Sequence, residues 1–357
     1  MDDNVTQGFP TLECRPVPLL APPFPPLPAP HRRLDLPGFR LGHGADRGGM
    51  TGVTVILCPE GAVAAAEVRG SATGTRQFDA LVGPQHLSSR AHAVVLSGGS
   101  AFGLSAADPV VDWLARRGHG FQTGVAAVPL VPTAILFDLG FVEFGLAGGG
   151  TRSRAELALE ALDAAQAQGG LEEIAVGSVG AGTGATVGKS LGIPNAMKGG
   201  FGFAALTVPD GPTVCAAVAV NAFGDVRRLD GTLLAGCRAG AGSRELADAQ
   251  RVMAALPPEF VSPWEGNTTL AVVMTDAVLS KTAAHKVCQM AFGGFYRTLS
   301  PALSLYDGDL IVTLSLGRRT AHVHQIGVLA ERAVAEAILT AVREADGFGI
   351  LPAARDL

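Results

Sequence analysis

A Gly266-Asn267 turn runs directly into Thr268-Thr269 and an apolar, β-branched stretch ending at Thr275. As a segment it reads as a loop followed by a strand. Its chemistry depends on the peptide bond before Thr268. If the Thr268 hydroxyl attacks the Asn267 carbonyl, the bond rearranges to an ester that water hydrolyses. The chain that begins at Thr268 then carries a free α-amine beside its own hydroxyl. Such an amine has a reference pKa of about 7.7–8.0, well suited to a general base near neutrality. Threonine activated in this way is a known nucleophile arrangement. Asp307-Gly308-Asp309 places two carboxylates at the entrance to another strand. Alone it is an ordinary Asp-Gly turn. Beside Thr268 it could orient the hydroxyl and amine and shift their protonation.

The glycine-rich run from Gly177 to Gly188 ends in Lys189-Ser190. A phosphate-binding loop needs a glycine five residues before Gly188, where Thr183 stands. A dinucleotide-type reading of Gly180-Ala181-Gly182 lacks an acidic residue about 20 positions on. What survives is a backbone-rich loop delivering one cation, Lys189, in a segment with almost no other charge. Gly98-Gly99-Ser100-Ala101-Phe102 resembles a nucleophile elbow, but Phe102 occupies the position that needs glycine. His285, His322 and His324 lie downstream without a telling context, so a tight strand-to-helix turn is the preferred reading of Ser100. His322-x-His324 reads as a flanking loop rather than a metal site.

These groups must be positioned by short strands and long alanine-rich helices. Strands are expected at Thr51–Cys58 and Gly61–Arg69, joined as a hairpin by a Pro59-Glu60-Gly61 turn. Ala91–Leu96, Gly202–Val208, Val214–Asn221, Thr268–Thr275 and Leu310–Ser315 read as further strands. Helical spacing marks the stretch up to Arg117, Arg154–Gln168, Ser280–Arg297 and Ile326–Glu344. This mixture predicts an α/β (α+β) layered architecture. Residues 1–37 form a proline-rich extension, and the folded body spans 38–357 as one domain.

Hydrophobic residues make up 48% of the 357-residue chain and charged residues only 17%, which suits a bulky core and predicts surface buried between subunits of a homo-oligomer. Net charge is −5 and aromatic residues are few, so a nucleic-acid partner is not expected. Neither a membrane-length apolar run nor a signal peptide is visible, so a cytoplasmic protein is expected. The five cysteines are far apart and read as reduced core residues. No metal or cofactor is called for.

Several motifs together resemble the DmpA family of autoprocessing aminopeptidases, which includes β-peptidyl aminopeptidases and 6-aminohexanoate-oligomer hydrolases. They are Gly42-His43-Gly44-Ala45-Asp46, Leu96 to Leu104, Val128 to Pro132, Phe137-Asp138-Leu139, Gly177 to Lys189, Lys198-Gly199-Gly200, Val220-Asn221, Gly266 to Thr269, and Asp307-Gly308-Asp309. They fall in the family's order over residues 38–345. The resemblance implies an αββα sandwich of the N-terminal-nucleophile kind, cut into an α chain (1–267) and a β chain (268–357) that stay together. Thr268 would be the nucleophile. Lys189 and Asn221 would lie beside it, with Asn221 holding the oxyanion, and Asp307 and Asp309 would position it. Substrates would be short peptides or peptide-like amides cut from the amino end, or linear nylon-type oligoamides cut internally; the alternative of another class is an uncut, non-catalytic small-molecule binding protein. Phe137 departs from the family's active-site tyrosine, so a phenolic donor is absent: either another group replaces it or substrate preference differs, and Phe137 and Ser100 are expected to line the substrate pocket. Leu310, where threonine is common, is taken as neutral.

Overall fold

The computed structural model describes residues 26–143, 150, 152–168, 173–257 and 266–357. Cys14, most of the proline-rich leader and Gly148-Gly149 lie outside them. Eight strands carry the site: β1 (Arg40–Asp46), β2 (Thr51–Val68), β3 (Arg90–Ser97), β4 (Thr133–Ile135), β5 (Gly200–Thr207), β6 (Thr213–Asn221), β7 (Thr268–Ala277) and β8 (Leu310–Arg319). Four helices accompany them: α1 (Ala107–Ala115), α2 (Arg154–Ala167), α3 (Lys281–Thr298) and α4 (Val323–Arg343).

The hydrogen-bonded order is β5-β6-β7-β8-β2-β3-β4, with Thr75–Arg76 at the far edge and β1 paired to β2. The expected hairpin within residues 51–69 does not form. Those residues make one long strand, interrupted by an irregularity between Leu57 and Ala62. Gly61, at φ +80°, takes up the bend that Pro59 begins. The first half of β2 pairs with β1 and β3, and the second half with β8. It is β1, across the turn at residues 47–50, that makes the hairpin with β2. The sequence pattern was misleading because a proline-glycine turn and a bulge use the same residues.

Side-chain alternation sorts the strands into layers. Leu270, Val272 and Met274 of β7, Phe201 and Phe203 of β5, and Ile56, Val94 and Leu96 of β2 and β3 share one core. The opposite face of β7, Ala271 and Val273, packs with α3 and α4 through Val287, Phe292, Phe295 and Ile338. The opposite face of β2 and β3, Val53, Val55 and Val95, packs with α1 and α2 through Val110, Leu157 and Leu162. Three cores separate four layers, helix–sheet–sheet–helix, and the long strand β2 belongs to both sheets. Burying each of the large apolar side chains stabilises the fold by about 1.5–3 kcal/mol.

Local signals set the helix starts. Ser153 and Glu156 form a reciprocal capping box at α2. Ser280 caps α3 by accepting from the Ala283 N–H. His322 caps α4 by accepting from the His324 N–H, which gives the His322-x-His324 pair a structural role. Residues before Gly38 already belong to the body: His31 bridges to Ala205, and Leu34 and Leu36 are buried. Cys58, Cys215, Cys237 and Cys288 are free and buried. Among the described residues, no helix is long and apolar enough to cross a membrane.

Candidate active site

Sheet register brings the chemistry to one end of β6, β7 and β8. β6 and β7 are antiparallel, and Asn221 at the end of one faces Thr268 at the start of the other. β7 and β8 are parallel and joined through α3, with Leu270 beside Leu310. That register puts Asp309 next to Thr269. The Asp309 carboxylate accepts from the Thr269 N–H at 2.7 Å and from the Leu303 N–H at 3.3 Å. Asp307 accepts from the Phe223 N–H at 3.1 Å and from both the N–H and hydroxyl of Ser304.

Thr268 is buried, and its hydroxyl donates to the Asn267 carbonyl oxygen. The same oxygen accepts from the Gly308 N–H at 2.8 Å. Lys189 is also buried. Its ammonium donates to Asn221 Oδ1 at 2.8 Å, to the Asn221 carbonyl at 3.1 Å and to the Thr186 carbonyl at 3.2 Å. These bonds offset the cost of burying its charge. Asn221 Oδ1 also accepts from the Thr186 N–H at 2.9 Å. With its oxygen so engaged, the amide must point Nδ2 the other way, where it donates to the Phe137 carbonyl at 2.9 Å. An NH₂ group has two hydrogens, so the Asn221 amide retains a second donor.

Thr268, Asn267, Lys189, Asn221, Asp307 and Asp309 therefore stand together in the structure. Phe137 joins them through its carbonyl and through its ring, against which Gly266 packs. A Cβ on Gly266 would lie 2.7–3.0 Å from Phe137 side-chain atoms. Ser100 is one step removed. It opens a short 3-10 helix with φ +53°, and its N–H bonds the Leu136 carbonyl. The histidines a serine elbow would need are engaged elsewhere: His285 pairs with Glu67, and His322 caps a helix. Sequence reasoning overlooked Gly308, Ser304 and Thr186. Of these, only Gly308 gave a signal, as the residue between the two aspartates.

Burial raises the pKa of Asp307. Burial, and then the neighbouring Asp307 charge, raises that of Asp309 well above the usual carboxylate range. Between the ordinary value and the raised one, the folded chain binds more protons than the unfolded chain. Stability contributed by Asp309 therefore falls as pH rises through that window. In a Thr268→Ala background, Asp309→Asn should gain stability over its Asp309 parent as pH rises above about 4. Urea unfolding across pH 4–8 measures this, and a difference that is flat with pH would contradict it.

The sequence pattern that defines peptidase family S58 matches residues 33–350. The chain belongs to peptidase family S58. An uncharacterised aminopeptidase of Mycobacterium leprae is 35% identical over 354 residues, covering 89% of this chain and 91% of that protein. A 6-aminohexanoate-oligomer endohydrolase of Paenarthrobacter ureafaciens is 27% identical, covering 87% of this chain and 85% of that protein. Among solved structures, the L-aminopeptidase D-Ala-esterase/amidase of Ochrobactrum anthropi superposes with a TM-score of 0.62 at 18% identity, covering 91% of this chain and 89% of that one. A Burkholderia β-aminopeptidase gives 0.60 at 21%, covering 90% of this chain and 89% of that one. The fold of this S58 member is that of the N-terminal-nucleophile hydrolases, and the protein is an amidohydrolase of the peptidase type acting on peptide-like substrates.

Proposed function

We propose that this S58 peptidase cuts itself between Asn267 and Thr268 and then uses the freed Thr268 as nucleophile against short peptides or peptide-like amides, acting from the amino end. The observation that carries this reading is the Thr268 hydroxyl seated on the Asn267 carbonyl, with Gly308 on the same oxygen. In turnover the Thr268 amine takes the hydroxyl proton as the acyl–enzyme ester forms, and passes a proton to the leaving amine. Asn221, held in orientation by Lys189, donates to the developing oxyanion. Asp309 fixes the Thr269 N–H and so the start of β7. Water then releases the acyl group.

A second reading, internal cleavage of linear oligoamides, has its own support. A narrow cleft of about 10 Å³ lies beside Lys189 and Gly266 in the uncut chain. Phe137, Phe141 and Ile193 give it apolar walls. The 6-aminohexanoate-oligomer relatives point the same way. The α chain (1–267) and β chain (268–357) are proposed to stay together, since β7 hydrogen-bonds to β6 on one side and β8 on the other. Assembly of αβ units into a homo-oligomer is consistent with the exposure of Leu87, Phe102 and Val125, and a cytoplasmic location is part of the same proposal.

On a denaturing gel the purified protein should resolve into two fragments, the smaller beginning Thr268-Thr269-Leu270. A single intact band after long incubation would overturn the self-cutting reading. Paired substrates with free and blocked amino termini then separate the two substrate classes: an aminopeptidase loses the blocked member, and an internal hydrolase keeps it.

A further inference from the structure

Self-cleavage needs a donor for the oxygen that becomes negative, and in the uncut chain the hydrogen bonds of the Asn221 side chain run to other groups. Its Oδ1 faces Lys189 and the Thr186 N–H, and its Nδ2 donates to the Phe137 carbonyl. We propose that the backbone N–H of Gly308, 2.8 Å from the Asn267 oxygen, is the oxyanion donor for the chain's own cut. This rests on the self-cutting reading and adds to it a catalytic residue outside the set implied by resemblance.

In the step itself, Thr268 Oγ bonds to the Asn267 carbonyl carbon, and the carbonyl π pair moves onto the oxygen facing Gly308. The hydroxyl proton passes to the Thr268 nitrogen. The carbon–nitrogen bond then breaks with its electron pair staying on nitrogen. The products are an Asn267–Thr268 ester and a free amine. Water adds to the ester and yields the Asn267 carboxyl group and the Thr268 hydroxyl. No other reactant is required.

The Gly308 bond also continues the parallel ladder between β7 and β8, since Asn267 and Asp307 form a bridge and the Asn267 N–H donates to the Tyr306 carbonyl at 3.2 Å. A ladder bond that falls on a scissile carbonyl strengthens as charge develops there. The donor is also fixed in advance. The Asp309 carbonyl accepts from the N–H groups of Arg69 and Gly70 at 3.0 and 2.9 Å, and the Asp307 carbonyl from that of Ala72 at 3.0 Å. The Asp307 and Asp309 side chains clamp Phe223 and Thr269 on the other side. Gly308 has no room for a side chain, because a Cβ there would lie 2.6 Å from Thr268 Oγ1 and 2.6 Å from the Ala72 carbonyl oxygen. The hydroxyl and the donor N–H share one tight seat.

The test replaces the amide between Asp307 and Gly308 by an ester, introducing glycolic acid at position 308 of the full chain by cell-free translation. This deletes the N–H and adds no atoms to the seat. Self-cleavage of the variant should slow by about 10²–10³-fold relative to the unmodified chain. Circular dichroism and size-exclusion elution are compared with those of uncut Thr268→Ala. Cleavage within threefold of the unmodified rate would overturn the proposal. Failure of the unmodified chain to cut would instead sink the reading beneath it. Should the ester variant not fold, Gly308→Ala gives a second arm: it keeps the N–H but crowds Thr268 Oγ1, and a folded Gly308→Ala chain that cuts at the unmodified rate would likewise overturn the shared-seat geometry.

Discussion

Thr268→Ala is expected to remain one uncut chain of 36.4 kDa and to hydrolyse no amide substrate, with loss of at least about 10⁴-fold in rate. In the proposed reaction the hydroxyl is the atom that bonds to carbon, and after the proposed cut the new amine serves as its base. Removing it takes away attack on the Asn267 carbonyl and attack on any substrate together. The fold should survive. The lost hydrogen bond to the Asn267 oxygen is worth about 0.5–1.5 kcal/mol, and the Gly308 N–H still satisfies that oxygen. The variant should thus show a cooperative melt within a few degrees of a slow-cutting parent. Robust hydrolysis by a folded Thr268→Ala chain would remove Thr268 as nucleophile. Self-cutting without turnover on any amide would confine its role to processing.

Lys189→Met carries the second largest expected effect. The ammonium binds Asn221 at two points, its side-chain oxygen and its carbonyl, at the place where β6 ends opposite Thr268. Methionine matches the length but donates nothing. Asn221 Oδ1 would lose its charged partner and be held by Thr186 alone, so the orientation that presents the proposed Nδ2 donor is less firmly fixed. Hydrolysis per exposed N-terminal threonine should fall by about 10²–10³-fold, carried mainly by kcat, because the lost interaction matters most once charge has developed. Stability should drop by about 1.5–3 kcal/mol from the charged hydrogen bonds. Steady-state kinetics normalised to the amount of amino-terminal Thr268 would read this, and a kcat within threefold of the parent would contradict the assigned role.

Much of this arrangement was legible as residue types. The Asn267-Thr268 bond, the Asp307-Gly308-Asp309 turn and the lone Lys189 in a glycine-rich loop could each be singled out. The strands that carry Asn221, Thr268 and Leu310 were visible from short apolar β-branched runs. The long strand β2 was not. Pro59 and Gly61 read as a turn, and only pairing with β1, β3 and β8 on its two halves holds them as a bend within one strand. The boundary of the leader was also blurred, because Leu34 and Leu36 look like linker residues until the core that covers them is assembled.

The sequence by itself determined which groups could react: a threonine hydroxyl after an asparagine, two carboxylates around a glycine, one lysine, and family motifs in order along the chain. Those are covalent facts, carried by residue type and spacing. What only the tertiary structure decided is which of them meet. Asn221 and Thr268 stand 47 residues apart, and Asp309 another 41 beyond, yet register places them at one end of three neighbouring strands. Gly308 shows the difference most plainly. In sequence it is a turn residue with no functional group. Only the parallel register of β7 and β8 points its N–H at the Asn267 carbonyl, the one that the proposed cut would open, because a backbone donor acquires direction from pairing and not from its side chain.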